Sequence, residues 1–208
     1  QAQAKAPLAV REEGETLVVE TLYGEKRLPR QTGLAERCRS CKTKKMACYD
    51  ELLGEDGTDC GDGRMEGVRR LEAMTPDERF RFWQGELSRC IRCNACRNVC
   101  PACSCEKCVF DNPASGVENK AAANSFEENL FHIIRAFHVA GRCTDCGECS
   151  RVCPQHIPLH LLNRKLIADM NELYGPYQAG ADLESRPPLM DFRFDDPEPS
   201  TARRGGAQ

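Results

Sequence analysis

The sequence has no long apolar run. The longest, such as LVV at 17–19 and LHLL at 159–162, fall far short of the about 20 residues a membrane-spanning helix needs. It has no excess of basic charge either: 29 Lys and Arg stand against 32 Asp and Glu. That balance argues against a nucleic-acid partner, because such domains usually carry a strongly basic face. No stretch reads as a signal peptide, although the chain opens on Gln1 without Met, which leaves room for a removed N-terminal segment. There is no GxGxxG, no P-loop and no Ser/His/Asp set, and the carboxylates are scattered at surface-like positions. The usual machinery of acid–base and nucleotide chemistry is therefore missing.

What abounds is cysteine, 15 in 208 residues. Secreted disulfide scaffolds are shorter and carry an even count. Here the count is odd, the chain is long, and the cysteines cluster at x2 spacing. Two cysteines in one turn aim their sulfurs at a common centre, which suits a metal. Thiols kept reduced point to the cytoplasm.

Coarse patterning places these clusters among helices. Residues 1–8 look frayed, and ETLVVETLYGEKRLP (15–29) predicts a short hairpin with a Tyr-Gly turn. GEDGTDCGDG (54–63) predicts a loop. Thr75-Pro76-Asp77-Glu78 is a capping box with Pro at the first helical position, and Phe80, Trp83 and Leu87 follow at helical spacing. Trp83 reads as core beside a metal site rather than as an electron relay. Ser125 and Glu128 repeat the capping pattern, with Leu130, Ile133, Ile134 and Phe137 as the expected buried stripe before Gly141. A third helix is expected from Pro158 to Tyr174, with Leu159, Leu162, Leu166, Met170 and Leu173 on its buried face and Gly175 at its end. The Pro-, Asp- and Arg-rich end predicts disorder or, by a small margin, an extended arm on a partner. Three segments result: 1–74, an N-terminal hairpin and cysteine-bearing segment; 75–180, a helical domain; and 181–208, the arm.

Cys90, Cys93, Cys96 and Cys100-Pro101 form the run C-x2-C-x2-C-x3-C-P, and Cys143, Cys146, Cys149 and Cys153-Pro154 repeat it. This is the spacing of [4Fe-4S] binding, in which the fourth cysteine of each run serves the other cluster. Three sulfurs at x2 spacing wrap one face of a cubane, and the x3 step with its proline turns the chain toward the neighbouring site. The first cluster thus takes Cys90, Cys93, Cys96 and Cys153; the second takes Cys143, Cys146, Cys149 and Cys100. Zinc sites instead pair two C-x2-C knuckles. The four histidines, 132, 138, 156 and 160, read as packing or surface residues because the cysteines already suffice.

Seven cysteines remain: 38, 41, 48, 60, 103, 105 and 108. Cys38, Cys41, Cys105 and Cys108 could meet as two knuckles, with Cys103 a substitute for Cys105. Alternatively Cys38, Cys41, Cys48 and Cys60 form a local site. The first arrangement leaves fewer idle thiols beside the clusters and is favoured. It suits a third [4Fe-4S] cluster or a structural zinc. Cys48 and Cys60 then read as free or packing thiols.

The two runs, the helix LFHIIRAFHVAGRC before the second and IPLHLLNRKL after it resemble the α-helical dicluster ferredoxins over residues 78–175. The order CRSCKTKKMACYDELLGE, a Trp helix, CIRCNACRNVCPACSCEKCVFD and GRCTDCGECSRVCPQHIPL is similar to one group of multi-cluster iron-sulfur subunits, over residues 15–180. These accompany heterodisulfide-reductase-like flavoproteins, formate dehydrogenases, hydrogenases and anaerobic acyl-CoA reductases, including the tungsten benzoyl-CoA system. The resemblance implies a mainly α fold with a short irregular or β N-terminal part, two crossed [4Fe-4S] sites and a third N-terminal metal site. It implies a relay subunit of a larger anaerobic oxidoreductase, beside a flavoprotein or a molybdenum, tungsten or hydrogenase subunit. Two other classes compete. A catalytic centre would need an incompletely ligated cluster in the N-terminal group. A structural or sensory reading makes Cys38 and Cys41 a zinc knuckle for docking or oxidant sensing.

Overall fold

The structure, a computed structural model, describes residues 7–42, 45–57, 61–112 and 125–190. Cys60 and the part of the arm beyond residue 190 lie outside these residues.

The expected hairpin is present and gains a strand. β1 (Ala9–Glu13), β2 (Thr16–Thr21) and β3 (Gly24–Pro29) form an antiparallel meander in the order β1-β2-β3. Val18 pairs with Arg11 on one side and Arg27 on the other. The reversal between β2 and β3 runs through Leu22 and Tyr23 to Gly24, whose φ of 115° is open to glycine at no steric cost. Leu17 and Val18 are buried, while β1 is exposed throughout. A short helix α1 (Arg30–Gly33) closes on the sheet. A Cβ at Gly33 would collide with Leu17, so a glycine is needed for that approach.

After α2 (Glu36–Arg39), the expected loop holds as irregular chain over the described residues 54–57. It gives way to a 3-10 turn at Gly61–Met65 and then α3 (Glu66–Glu72), a helix the sequence patterning does not predict. Its apolar side is only Val68 and Leu71, too few for a periodic signal. Gly67 lets it lie against Leu161.

α4 (Pro76–Leu87) begins at the predicted capping box. The Thr75 hydroxyl accepts from the Glu78 backbone N–H, and the Glu78 carboxylate accepts from the Thr75 backbone N–H at 2.9 Å. The Thr75 hydroxyl, which donates to the Glu78 carboxylate at 2.8 Å, and then the Thr75 backbone N–H hold that carboxyl below its usual range. α5 (Ala95–Asn98) and α7 (Glu148–Arg151) are single turns, one in each cysteine run. α6 (Ser125–His138) and α8 (Leu159–Tyr174) are the two long helices. α6 packs on α4 and α8, and α5 packs on α7.

Two stripes are rotated from the expectation. On α6, Ile133 and Phe137 are exposed, Leu130 and Ile134 are half-buried, and the buried face is Glu128, Phe131, His132, Arg135 and Ala136. On α8, Leu173 is exposed, and Asn163, Arg164 and Ile167 join Leu159 and Met170 inside. On α6 the apolar side is well defined, yet Phe126, Ile133 and Phe137 on it are exposed and the polar side is buried, so periodicity alone does not choose the buried face. Burial of the polar residues is decided by partners distant in sequence. On α4, Phe80 is exposed and Leu87 is buried, with Trp83 half-buried against the core.

The core gathers Leu87, Phe110, Phe131, Ile157 and Leu159 with Cys96, Cys149 and Cys153. The Phe110 and Phe131 rings lie 4.8 Å apart and tilted. The described start of the C-terminal arm folds back on this domain, where Pro187 and Leu189 approach Gly141. Among the described residues, no helix is long and apolar enough to cross a membrane.

Thr75→Ala removes one half of the capping box and should destabilise the protein by about 1 kcal/mol in denaturant titration. An unchanged midpoint would mean that α4 is held by packing alone.

Candidate metal centre

Each cysteine run is shaped by the same backbone device. In CIRCNAC, Arg92 and Asn94 have φ of 53° and 60°; in CTDCGEC, Asp145 and Gly147 have 58° and 69°. The residues before and after the second cysteine are thus left-handed in both runs. This coils three thiols around one centre before the single-turn helix begins. Asn is among the few non-glycine residues that enter this region readily. At Gly147 a Cβ would also press the Arg37 side chain at 3.0 Å, so both the backbone and the space favour glycine.

The second loop is pinned by charge. The Asp145 carboxylate accepts from Arg64 Nη1 at 3.1 Å and Arg164 Nε at 2.8 Å, with all three side chains at most 6% exposed. Arg64 also donates to Gln178 Oε1 at 2.7 Å, and Arg164 donates to the Arg64 carbonyl at 3.0 Å. The first loop is held differently. The Arg92 guanidinium lies 4.1 Å over the Phe131 ring and donates to the Glu127 carbonyl at 3.2 Å.

The tertiary fold brings the runs together. Cys100, from the first run, lines one cavity with Cys143, Cys146 and Cys149 of the second. Cys153, from the second run, lies in the core with Cys96, and Cys90 packs against it. Cys90 and Cys96 each count Cys153 among their electrostatic neighbours, and Cys143 and Cys149 each count Cys100. Cys93 and Cys146 are exposed.

Burial pushes the Cys96 thiol up to about 11 and the Cys143 thiol up to about 12. A hydrogen bond from Cys103 holds Cys100 down to about 6, and the same bond raises Cys103. Nitrogen groups face several of the thiols. The Arg92 backbone N–H donates to Cys90 Sγ at 3.4 Å, His132 Nε2 lies 3.2 Å from the same sulfur, and Asn163 Nδ2 donates to Cys149 Sγ at 3.7 Å. Burial lowers the His132 imidazole to about 3. The neutral imidazole and the Cys90 thiol are thus hydrogen-bond partners.

His132 is therefore more than the packing residue the sequence suggests. His138 is exposed, and His160 Nδ1 meets the Ser150 hydroxyl at 2.9 Å. His156 sits at a left-handed turn after Pro154. Arg135 and Asp145 escape the sequence reading, although a charged residue inside the apolar stretch LFHIIRAFH is a signal that could have marked Arg135.

The leftover cysteines divide. Cys103, Cys105 and Cys108 line one cavity together with Arg97, Arg135, His138 and Arg142, and Cys38 and Cys41 are not among its lining residues. Cys38 lies on α2, which docks on the second run through Arg37 and Glu148 at 3.0 Å. Cys48 is exposed. Among the described residues, no three His, Cys, Asp or Glu side chains converge closely enough to share a single metal ion. The donors fit an iron-sulfur cubane in kind: they are soft thiols, four of them around one cavity.

Asp145→Asn leaves two buried guanidinium groups without their anion. The expected loss is about 3–5 kcal/mol, read by chemical denaturation of the metal-free chain. A change below about 1 kcal/mol would show that water reaches both arginines.

Comparison with known proteins agrees with this geometry. Residues 86–157 match the model of the 4Fe-4S dicluster domain family. The chain is 32% identical over 110 residues to the F420-dependent formate dehydrogenase subunit beta of Methanocaldococcus jannaschii, covering 53% of this chain and 28% of that protein. It is 33% identical over 107 residues to the F420-dependent formate dehydrogenase 1 subunit beta of Methanococcus maripaludis, covering 51% of this chain and 26% of that protein. The chain thus spans about a quarter of the length of these relatives. Over residues 86–157, which hold both cysteine loops, the chain is thus similar to the 4Fe-4S dicluster domain family.

Proposed function

We propose that this chain is the iron-sulfur electron-transfer subunit of a formate-dehydrogenase-like oxidoreductase. The observation that carries it is the placing of Cys100 in one cavity with Cys143, Cys146 and Cys149, which makes a four-thiol set out of two runs. The ligand sets are Cys90, Cys93, Cys96 and Cys153 for one cluster, and Cys143, Cys146, Cys149 and Cys100 for the other. A [4Fe-4S] cluster carries one electron at a time, at a potential set by hydrogen bonds to sulfur, charge and exposure. This chain's part is to hold the thiols, exclude water on the core side and supply N–H donors from Arg92, His132 and Asn163. The exposed Cys93 and Cys146 mark where each cluster would come nearest to the surface and so to a partner.

Two copies of C-x2-C-x2-C-x3-C-P, with Cys100 beside Cys143, Cys146 and Cys149, support a cubane over zinc at these thiols. In this reading residues 75–180 form the dicluster ferredoxin domain, flanked by the hairpin and cysteine segment 1–74 and the arm 181–208. The partners are a flavoprotein and a formate-oxidising metal subunit in a cytoplasmic hetero-oligomer. A third site draws on the leftover cysteines. The cavity holding Cys103, Cys105 and Cys108 favours these three, with Cys38 and Cys41 remaining the earlier candidates.

Anaerobic isolation of the native complex tests the reading. Two clusters give about eight irons per chain and three give about twelve, while eight irons with one zinc make the third site structural. A chain with no cubane signature would end the proposal. Cys100→Ala should damage the cluster held by Cys143, Cys146 and Cys149 and spare the one nearest in sequence. Loss of the nearer cluster by electron paramagnetic resonance would refute the crossed ligation.

A further inference from the structure

Arg135 is 3% exposed, and none of its three guanidinium nitrogens has a hydrogen-bond partner among oxygens and nitrogens. A buried cation without an anion costs several kcal/mol, so a fold that keeps one must compensate it. No carboxylate stands among its leading electrostatic neighbours. Those neighbours are four cysteines: Cys96, Cys149, Cys100 and Cys103. Cys96 belongs to the first thiol set, and Cys149 and Cys100 belong to the second. The same guanidinium also borders the cavity of Cys103, Cys105 and Cys108.

The helix explains the placing. Glu128, His132 and Arg135 follow one another at helical spacing and are all buried, so α6 turns a polar seam toward the thiols. His132, one turn before Arg135, reaches Cys90 of the first set at 3.2 Å. Arg135, further along the seam, is buried with cysteines of both sets as its charge neighbours.

We propose that Arg135 is a positioning residue shared by both clusters, its guanidinium fork donating N–H bonds to sulfur of the Cys96 set and of the Cys149–Cys100 set. The inference rests on the two-cluster reading above. A cubane with four thiolates is an anion that gains one more negative charge on reduction. A fixed cation between two such anions stabilises the reduced form of each, which raises both potentials. The planar fork suits the task because its five donors diverge in one plane and remain charged at every working pH. An ammonium group at the same place keeps the charge but has no fork.

The test uses the full-length protein in its native complex, with iron content and redox titration as readouts. Arg135→Gln should retain about eight irons. It should lower both midpoints, each reduced-to-oxidised ratio at a set potential falling at least tenfold, about 59 mV for one electron. Arg135→Lys should hold both ratios within about threefold of the wild type, since its charge remains. Full iron with unmoved midpoints in Arg135→Gln would overturn the proposal, and so would a shift confined to one cluster. Where Arg135→Gln binds no iron, wild-type protein grown with isotopically labelled guanidino nitrogens decides. Pulsed electron paramagnetic resonance should then show arginine nitrogen coupled to both reduced clusters, with the coupling at the Cys143–Cys149 cluster lost in Arg135→Lys. No coupling at that cluster would reject the shared position. These outcomes differ from failure of the two-cluster reading, which would show as missing iron in the wild type itself.

Discussion

Asp145 lies buried between Arg64 and Arg164, and that triad ties together four distant parts of the chain. It fixes the left-handed residue in the second cysteine loop, the turn before α3, the middle of α8 and, through Gln178, the chain after α8. A carboxylate with two guanidinium partners makes burial of these charges tolerable, whereas any one of them alone would be costly. The loop that holds Cys143, Cys146 and Cys149 is therefore anchored to α8 and to the turn before α3. Rigid thiols matter for electron transfer, because a site that keeps its geometry between redox states reorganises little.

The core of this protein also differs from an ordinary apolar one. Cys96, Cys149 and Cys153 occupy positions that Leu or Val would fill elsewhere, and Phe110, Phe131, Ile157 and Leu159 pack around them. Around this core run a polar seam on α6 and a second on α8, where Asn163 reaches Cys149. Apolar walls raise the cost of charge on sulfur, and the seams supply donors and one cation to offset it. The balance between the two is what sets the potential of a cluster in such a pocket.

The two cysteine loops are conformational copies, with left-handed residues at matching places, yet their supports are unrelated. Asp145 uses two arginines, while the equivalent Arg92 lies over the Phe131 ring. The copied feature is the backbone path, because thiol placement needs it. The supports are free to diverge, because any anchor of sufficient strength serves. Divergent supports also give the two cysteine loops different surroundings.

Much of this was legible in the sequence. Cysteine spacing announced the dicluster domain, Thr75 and Glu78 announced the start of α4, and Gly175 announced the end of α8, because spacing and caps act over one or two turns. The buried faces of α6 and α8 were not legible. Much of the apolar side of α6 is exposed, and burial of Glu128, His132, Arg135 and Arg164 depends on thiols and carboxylates far away in the chain. A charge is buried only where its partner waits, and sequence distance hides the partner. The sequence by itself determined the kind of donor, a soft thiol, and the spacing of the two cysteine runs. The tertiary structure alone decided which thiols meet, which loop is clamped by Asp145, and that Arg135 is buried beside cysteines of both runs, since each of these requires folding to bring opposite charges or soft donors within contact.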